Sequence, residues 1–429
     1  MTDQPQSNPP ACYTNEWQRT NPDHVLYLPQ QAGGTDEYAD HVHVFETPGG
    51  DMMCIWTQGA YESAANCFTV YSRSTDDGET WAPPQPIAET DGPTMCRGLG
   101  FPLISRSGRM YCLYGNHKGG SDLGIWAGPL RVHVSDDDGL TWIDSGVEIP
   151  WRHVPQFDHP DPTLAPHCIV WQQPIRDAND RMIVGLSRWS SYMKYPQPIG
   201  GNRNHMDTGS ELMRFDNIDE GPDPQDIQIT WLPDEAGTIR VSPEIEPEAS
   251  RGYSLAEEPG IALLPDGRLW MNMRTVTGCM WYTVSDDHGH SWRPTEPLLY
   301  RDGGQRMLHV KSPDPIYRLK DGRYLLFYAN RDGHDGDTGP WDMEARRPVC
   351  IAVGEFRPDA HQPLWFSEPK LLMDTERVRV GTQNLMMMAM YSSLTELGGR
   401  RIVWYADRKQ FVVGKDIPDA MLADMTVPA

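Results

Sequence analysis

Short apolar runs, separated by clusters of Gly, Asp, Asn and Pro, recur along the whole chain, and helical periodicity is weak. One unit repeats: a Gly- or Asp-containing turn, a basic or polar residue, then a run of apolar and aromatic residues. Pro48-Gly49-Gly50-Asp51 stands before MMCIW, Ser105-Arg106-Ser107-Gly108-Arg109 before MYCLYG, and Asp177-Ala178-Asn179-Asp180-Arg181 before MIVGLS. Pro265-Asp266-Gly267-Arg268 precedes LWMNM, Lys320-Asp321-Gly322-Arg323 precedes YLLFYA, and Leu397-Gly398-Gly399-Arg400 precedes RIVWYA. Asp-Gly between apolar runs is a strong hairpin signal, because tight turns need the positive φ these residues tolerate. The pattern predicts six hairpins and an all-β fold.

The turn positions 50, 108, 180, 267, 322 and 399 stand 58, 72, 87, 55 and 77 residues apart. Units of this size with variable insertions have the spacing of β-propeller blades. A second repeat falls in register with them: Ser74-x-Asp76-x-Gly78-x-Thr80-Trp81, Ser135-x-Asp137-x-Gly139-x-Thr141-Trp142 and Ser285-x-Asp287-x-Gly289-x-Ser291-Trp292. Its residues suit a turn, since Asp and Ser side chains accept turn N–H groups, Gly permits φ > 0 and Trp packs against the blade. We therefore expect a six-bladed β-propeller over residues 38–429. Residues 1–37 form an N-terminal segment that helps close the last blade. The stretch from about Trp189 to Ser254 shows no repeat and reads as irregular.

Composition agrees with this and narrows the function. The 39 Gly and 38 Pro disfavour a helical protein, and 15 Trp, 17 Tyr and 9 Phe supply a core that excludes wholesale disorder. A net charge of −23 sets the chain against nucleic acid and anionic membranes, although a local arginine cluster can still bind an acid. No apolar stretch approaches the ~20 residues of a membrane span. Met1 to Pro10 is polar, which predicts a cytoplasmic protein, or a secreted one if a leader has been removed. The eight Cys, at 12, 54, 67, 96, 112, 168, 279 and 350, form no CxxC pair and read as reduced thiols, mostly in buried strands. No metal or other cofactor is expected.

The Ser-x-Asp-x-Gly-x-Thr/Ser-Trp segments are Asp boxes, or BNR repeats. They resemble those of the sialidase (neuraminidase) superfamily, whose fold is a six-bladed β-propeller. In that family the box lies away from the active site, which implies that Asp76, Asp137 and Asp287 are turn residues. Two further segments carry the resemblance. Glu257-Glu258-Pro-Gly-Ile-Ala-Leu-Leu-Pro-Asp-Gly-Arg-Leu-Trp-Met-Asn-Met-Arg274 reads as a hairpin that brings a carboxylate and Arg274 to one face. Met390-Tyr391-Ser392-Ser393-Leu394, followed by Gly398-Gly399 and a strand ending at Tyr405, is similar to the segment that holds the family's tyrosine nucleophile.

The resemblance implies Tyr391 as nucleophile, Glu258 as its base, with Glu257 the other choice, and Arg274 as one of three arginines that bind a substrate carboxylate. Arg347, or Arg346, is the candidate for a second, and Arg97 for a further cationic contact. Glu62 is the only carboxylate in the loop where the family's acid/base residue sits. A phenol has an unperturbed pKa of ~10 and needs a base to attack at neutral pH. Its neutral ground state suits an anomeric centre that bears a carboxylate, which would repel a carboxylate nucleophile. The chain departs from the family at the first arginine: Ala39-Asp40-His41-Val42-His43-Val44-Phe45 contains none, and His41 stands in its place. One lost charge-assisted hydrogen bond costs ~1.5–3 kcal/mol. A loop holding His153, His159, Asp161 and His167 is expected to turn at least one histidine toward the central pocket.

The resemblance implies a hydrolase: a retaining glycosidase that releases a terminal acidic sugar, a sialic acid or a related ulosonic or uronic acid. Its partner is then a carbohydrate, with neither nucleic acid nor membrane involved. Two alternatives use the same fold. One is a polysaccharide lyase in which His41 and Tyr391 act as acid and base on a uronate. The other is a non-catalytic glycan-binding propeller.

Overall fold

The computed structural model describes residues 15–30, 33–89, 96–118, 127–194, 207–234, 237–241, 254–331 and 343–428. The hairpin turns form where the Gly and Asp residues stand. Gly50, Gly108, Gly267 and Gly322 have φ of 90° to 93°, a left-handed backbone that favours glycine. At the third turn Asp180 adopts φ 65° instead, and the Asp177 Oδ1 accepts the N–H groups of Asn179 and Arg181, both at 2.9 Å.

Each hairpin gives the two inner strands of one antiparallel sheet, and six sheets form the molecule. Strand β1 (His24–Tyr27) comes first in the chain. Blade 1 holds β2 (Tyr38–Glu46), β3 (Met52–Gly59), β4 (Phe68–Ser74) and β5 (Gln85–Ala88). Blade 2 holds β6 (Phe101–Ile104), β7 (Met110–Gly115), β8 (Leu130–Ser135) and β9 (Ile143–Ile149). In blade 3, β10 (His167–Ile169) and β11 (Ile175–Arg176) both pair with β12 (Met182–Trp189), followed by β13 (Thr208–Phe215) and β14 (Ile229–Leu232). Blade 4 holds β15 (Glu257–Leu263), β16 (Leu269–Arg274), β17 (Trp281–Ser285) and β18 (Glu296–Pro297). In blade 5, β19 (Ile316–Arg318), β20 (Tyr324–Ala329), β21 (Val349–Phe356) and β22 (Leu364–Phe366) lie in order, with β23 (Lys370–Met373) also on β21. Blade 6 holds β24 (Ser393–Leu397), β25 (Arg400–Asp407) and β26 (Phe411–Asp416), and β1 pairs antiparallel with β26 as its outer strand.

The core lies between blades. One buried apolar cluster fills each of the six interfaces, including that of blade 6 with blade 1, where Leu26, Val44, Trp56, Trp404 and Val412 meet. Inner strands are covered on both faces, so they read as continuous apolar runs rather than alternations. Two strands fall inside the stretch that reads as irregular in the sequence. β13 is buried throughout but carries Glu211 and Arg214, and Glu211 accepts bonds from Arg188 Nε at 2.5 Å and Arg152 Nε at 2.7 Å. Paired charges in a buried strand erase the apolar signal.

The three Ser-x-Asp repeats are closed turns between the third and fourth strands of blades 1, 2 and 4. Asp76 accepts from Thr80 N at 2.9 Å and Thr80 Oγ1 at 2.6 Å, while Gly78 N donates to Ser74 Oγ at 2.9 Å. The same set recurs at Asp137 and Asp287. Antiparallel order puts these turns and the inner hairpin turns on one face of the ring. The chain enters each first strand from the opposite face, and the site lies there.

Candidate active site

On that face the innermost strands do not run straight into the ring. β2 bulges between Asp40 and His43, and β15 bulges between Glu257 and Gly260. His41 (φ 57°) and Glu258 (φ 49°) sit in these bulges with left-handed backbones. Leu99 (φ 59°), just before β6, and Lys409 (φ 56°), in the turn from β25 to β26, share the conformation. A bulge re-aims a side chain, and non-Gly residues held at positive φ cost about 1–3 kcal/mol each and gather at functional sites. All four line one axial cavity of about 290 Å³, together with Tyr38, Glu62, His167, Arg274, Lys311, Arg346 and Tyr391.

Tyr391 stands at the centre of the polar contacts. Its hydroxyl donates to Glu258 Oε1 at 2.8 Å, and Arg274 Nη1 donates to it at 3.3 Å. Its ring lies against His41, centroids 4.6 Å apart, and meets Trp171 edge-on at 5.9 Å. Burial raises its pKa, and the nearby Glu258 charge adds to that, so the resting phenol keeps its proton. Burial also raises the Glu258 carboxyl; Arg274 opposes the rise and Glu257 adds to it. A carboxylate made more basic, accepting from a phenol, is arranged to take the phenolic proton.

The two adjacent glutamates separate by partner. Glu257 lies opposite Arg274 in register and accepts from its Nη2 at 2.7 Å, with Lys311 Nζ 3.0 Å from the other oxygen. Burial raises Glu257, but Lys311 and Arg274 outweigh it and hold the carboxyl below its ordinary value. Arg274 Nη1 also lies 2.8 Å from Glu258 Oε2, so this arginine braces both. Burial pushes Lys311 down to about 8, against the pull of Glu257.

Glu62 reaches the cavity from the loop after β3. Lys409 Nζ lies 2.6 Å from Glu62 Oε1 and 3.0 Å from Asp40 Oδ2. Burial raises Glu62, but Lys409 more than offsets it and keeps this carboxyl ionised. Lys409 Nζ is also 5.2 Å from the centre of the Tyr391 ring. The lysine thus supplies a positive charge beside His41, where the sequence lacks an arginine. Burial, with Lys409 adding to it, pushes His41 down to about 3, so the imidazole is neutral.

Of the residues singled out in the sequence, Tyr391, Glu258, Glu62, Arg274 and His41 line the cavity together, and His167 lines it from the histidine-containing loop. Arg347 and Arg97 do not. Arg347 forms a two-pronged pair with Asp374, at 2.9 and 3.0 Å, and Arg97 donates to the Glu89 carbonyl. Successive residues before a strand face opposite ways, so with Arg347 turned outward Arg346 points in. Arg346 is 2 % exposed; its Nε donates to Lys311 O at 2.8 Å, and among the described residues no carboxylate pairs with it. Sequence reasoning missed Lys311 and Lys409. Lys311 follows a stretch without a repeat signal. Lys409 had one available cue: Asp407-Arg408-Lys409-Gln410 joins two apolar runs in a tight turn without any glycine.

Among the described residues no group of three or more His, Cys, Asp or Glu could hold a metal ion. No curated protein matches the sequence. Solved structures share the fold. A protein of unknown function from Dyadobacter fermentans is 14% identical with a TM-score of 0.58, covering 92% of this chain and 97% of that one. NanB sialidase from Streptococcus pneumoniae is 12% identical with a TM-score of 0.60, covering 95% and 71%. The intramolecular trans-sialidase from Ruminococcus gnavus is 12% identical with a TM-score of 0.57, covering 94% and 99%. Residues 50–401 match the BNR repeat-like domain, and this six-bladed propeller belongs to that family.

Proposed function

We propose that the protein is a sialidase-like glycoside hydrolase that releases a terminal acidic sugar with retention, through a covalent bond to Tyr391. The observation that carries this reading is the Tyr391 hydroxyl donating to Glu258 at 2.8 Å on the wall of the axial cavity. Binding alone has no use for a base beside a buried phenol. In the first step Tyr391 Oη attacks the anomeric carbon as Glu258 takes its proton, and the bond to the leaving oxygen breaks. In the second, water attacks the anomeric carbon, the bond to Tyr391 Oη breaks, and Glu258 returns the proton to that oxygen. Glu62, held ionised by Lys409, is suited to accept the proton of that water. It is poorly suited to donate one to the leaving group, so leaving groups that depart as anions should react fastest.

Arg346 supports an acidic sugar. A buried guanidinium without a carboxylate partner among the described residues is a poor resting arrangement and a good receptor for a substrate carboxylate. Aryl glycosides of a sialic acid or a uronic acid should be cleaved at least ~10-fold faster than their carboxyl-reduced counterparts, one charge-assisted bond being ~1.5–3 kcal/mol. Equal rates would remove the acidic-sugar reading.

One observation favours a second reading, elimination from a uronate. The His41 ring lines the cavity 4.6 Å from Tyr391, which puts a second proton-transfer group beside the phenol. The product would then be an unsaturated sugar absorbing in the ultraviolet, which a hydrolase does not make.

A further inference from the structure

The loop that carries Glu62 and Ser63 to the cavity ends at Cys67, and the segment that carries Leu99 there begins at Cys96. A parallel bridge joins Phe68 to Arg97, and Arg97 N donates to Cys67 O at 2.9 Å. That register sets Cys67 beside Cys96 on the same side of the two chains. Neighbouring strands lie ~4.7–4.9 Å apart, and disulfides span Cα separations of ~4.4–6.8 Å. Both side chains are buried in one small cluster with Tyr38 and Ala64, and Tyr38 also lines the cavity. The Cys67 Sγ donates to Tyr61 O at 3.4 Å, so this thiol also fixes the turn just before Glu62. The hydrogen bond with the Cys67 sulfur, then burial, raise the Cys96 thiol strongly, so Cys96 keeps its proton.

We propose that Cys67 and Cys96 form a reversible dithiol–disulfide site, oxidised by peroxides or by small disulfides, that clamps the Glu62 loop of blade 1 to the entry of blade 2. The pairing rests on the backbone register and does not depend on the glycosidase reading. With hydrogen peroxide, the Cys67 sulfur attacks one oxygen, the O–O bond breaks, and water leaves with the thiol proton, giving a sulfenic acid. The Cys96 sulfur then attacks the Cys67 sulfur, the S–O bond breaks, and a second water leaves with the Cys96 proton. Two thiols lose two electrons and two protons, and one peroxide becomes two waters. Oxidation also removes the S–H donor to Tyr61 O, so the turn before Glu62 loses that restraint.

The test uses the full chain, fully reduced, then exposed to dilute hydrogen peroxide or to oxidised glutathione. Intact mass should fall by two hydrogens, free thiols should fall by two from the eight present, and peptide mapping should find Cys67 joined to Cys96. Dithiothreitol should restore the starting mass. Cys96→Ala should stop the mass loss and leave Cys67 as a sulfenic acid that dimedone traps. Mapping of the wild type decides the matter even if that variant folds poorly. Eight thiols surviving, or a link between any other pair, would overturn the proposal.

Discussion

At the scale of single residues, the chemistry turns on one proton and the charges around it. Tyr391→Phe removes only a hydroxyl from a well-packed ring, so the fold should persist. If that oxygen attacks, kcat should fall by several orders of magnitude, and Glu258→Gln should lower it by ~10²–10⁴. The double variant should be little worse than Tyr391→Phe, because nucleophile and base act as one unit. Full activity in Tyr391→Phe would eliminate the tyrosyl route. Lys409 gives a separate test with a definite sign. It is the largest influence holding Glu62 below its ordinary value against burial; without it, only the weaker pulls of Arg346 and His41 oppose burial, and the Glu62 pKa rises. Lys409→Met should therefore move the acid limb of the kcat profile to higher pH with an aryl glycoside whose second, water-dependent step limits turnover, because a base is lost when it protonates. An unmoved limb would exclude Glu62 as the group being titrated. Tyr391 and Glu258 stood out in the sequence because the strand-turn-strand segments that hold them resemble those of the sialidase superfamily. Lys409 did not, and Arg346 could not be told from Arg347, because their roles depend on which way a tight turn and a strand entry aim their side chains.

Elements follow a division of labour set by the antiparallel order. One face of the ring carries tight turns whose residues are spent on closing them, and the other carries bulges and longer loops that build the cavity. The first face was legible in the sequence almost residue for residue, since turn chemistry is local: Gly at positive φ, Asp and Ser accepting nearby N–H groups. The bulges at His41 and Glu258 were not, since a one-residue slip in register leaves no compositional mark. Blade 3 resisted for another reason, its β13 being buried through the ion pairs of Glu211. This division makes the Asp repeats separable from the chemistry. Asp287→Ala deletes three bonds, those it accepts from Ser291 N at 2.8 Å, Ser291 Oγ at 2.5 Å and Ser285 Oγ at 2.9 Å. Partly exposed bonds of this kind contribute about 1 kcal/mol. Thermal denaturation should show a small fall in Tm, with kcat and KM unchanged. A large kinetic effect would mean that the turn face communicates with the cavity.

The whole molecule is a closed ring, and closure links its N-terminal strand to its site. β1 covers the edge of β26, with His24 opposite Gly414 and Val25 opposite Val413. Leu26 and Tyr27 enter the cluster between blades 6 and 1. Ahead of β1, Thr20 Oγ1 bonds Tyr405 and Asp407, and the Glu16 carbonyl accepts from Arg408 Nη2 at 2.6 Å. Arg408 is fully buried and has a left-handed backbone (φ 49°), as does its neighbour Lys409. Two successive non-Gly residues in that conformation persist only when their surroundings over-determine them, and the N-terminal segment supplies part of that determination. A chain beginning at residue 30 would bare β26 as an edge strand, strip apolar cover from one blade interface and leave Arg408 without its Glu16 partners. Such a chain should melt well below the parent and associate through the open edge, both measurable by thermal denaturation and light scattering. Where it still folds, the turn holding Lys409 should loosen. The acid limb of its pH profile should then shift in the same direction as in Lys409→Met, while Tyr391→Phe in the intact ring leaves the Tm near that of the parent. An unchanged Tm and a monomeric truncated chain would show that the ring closes without β1.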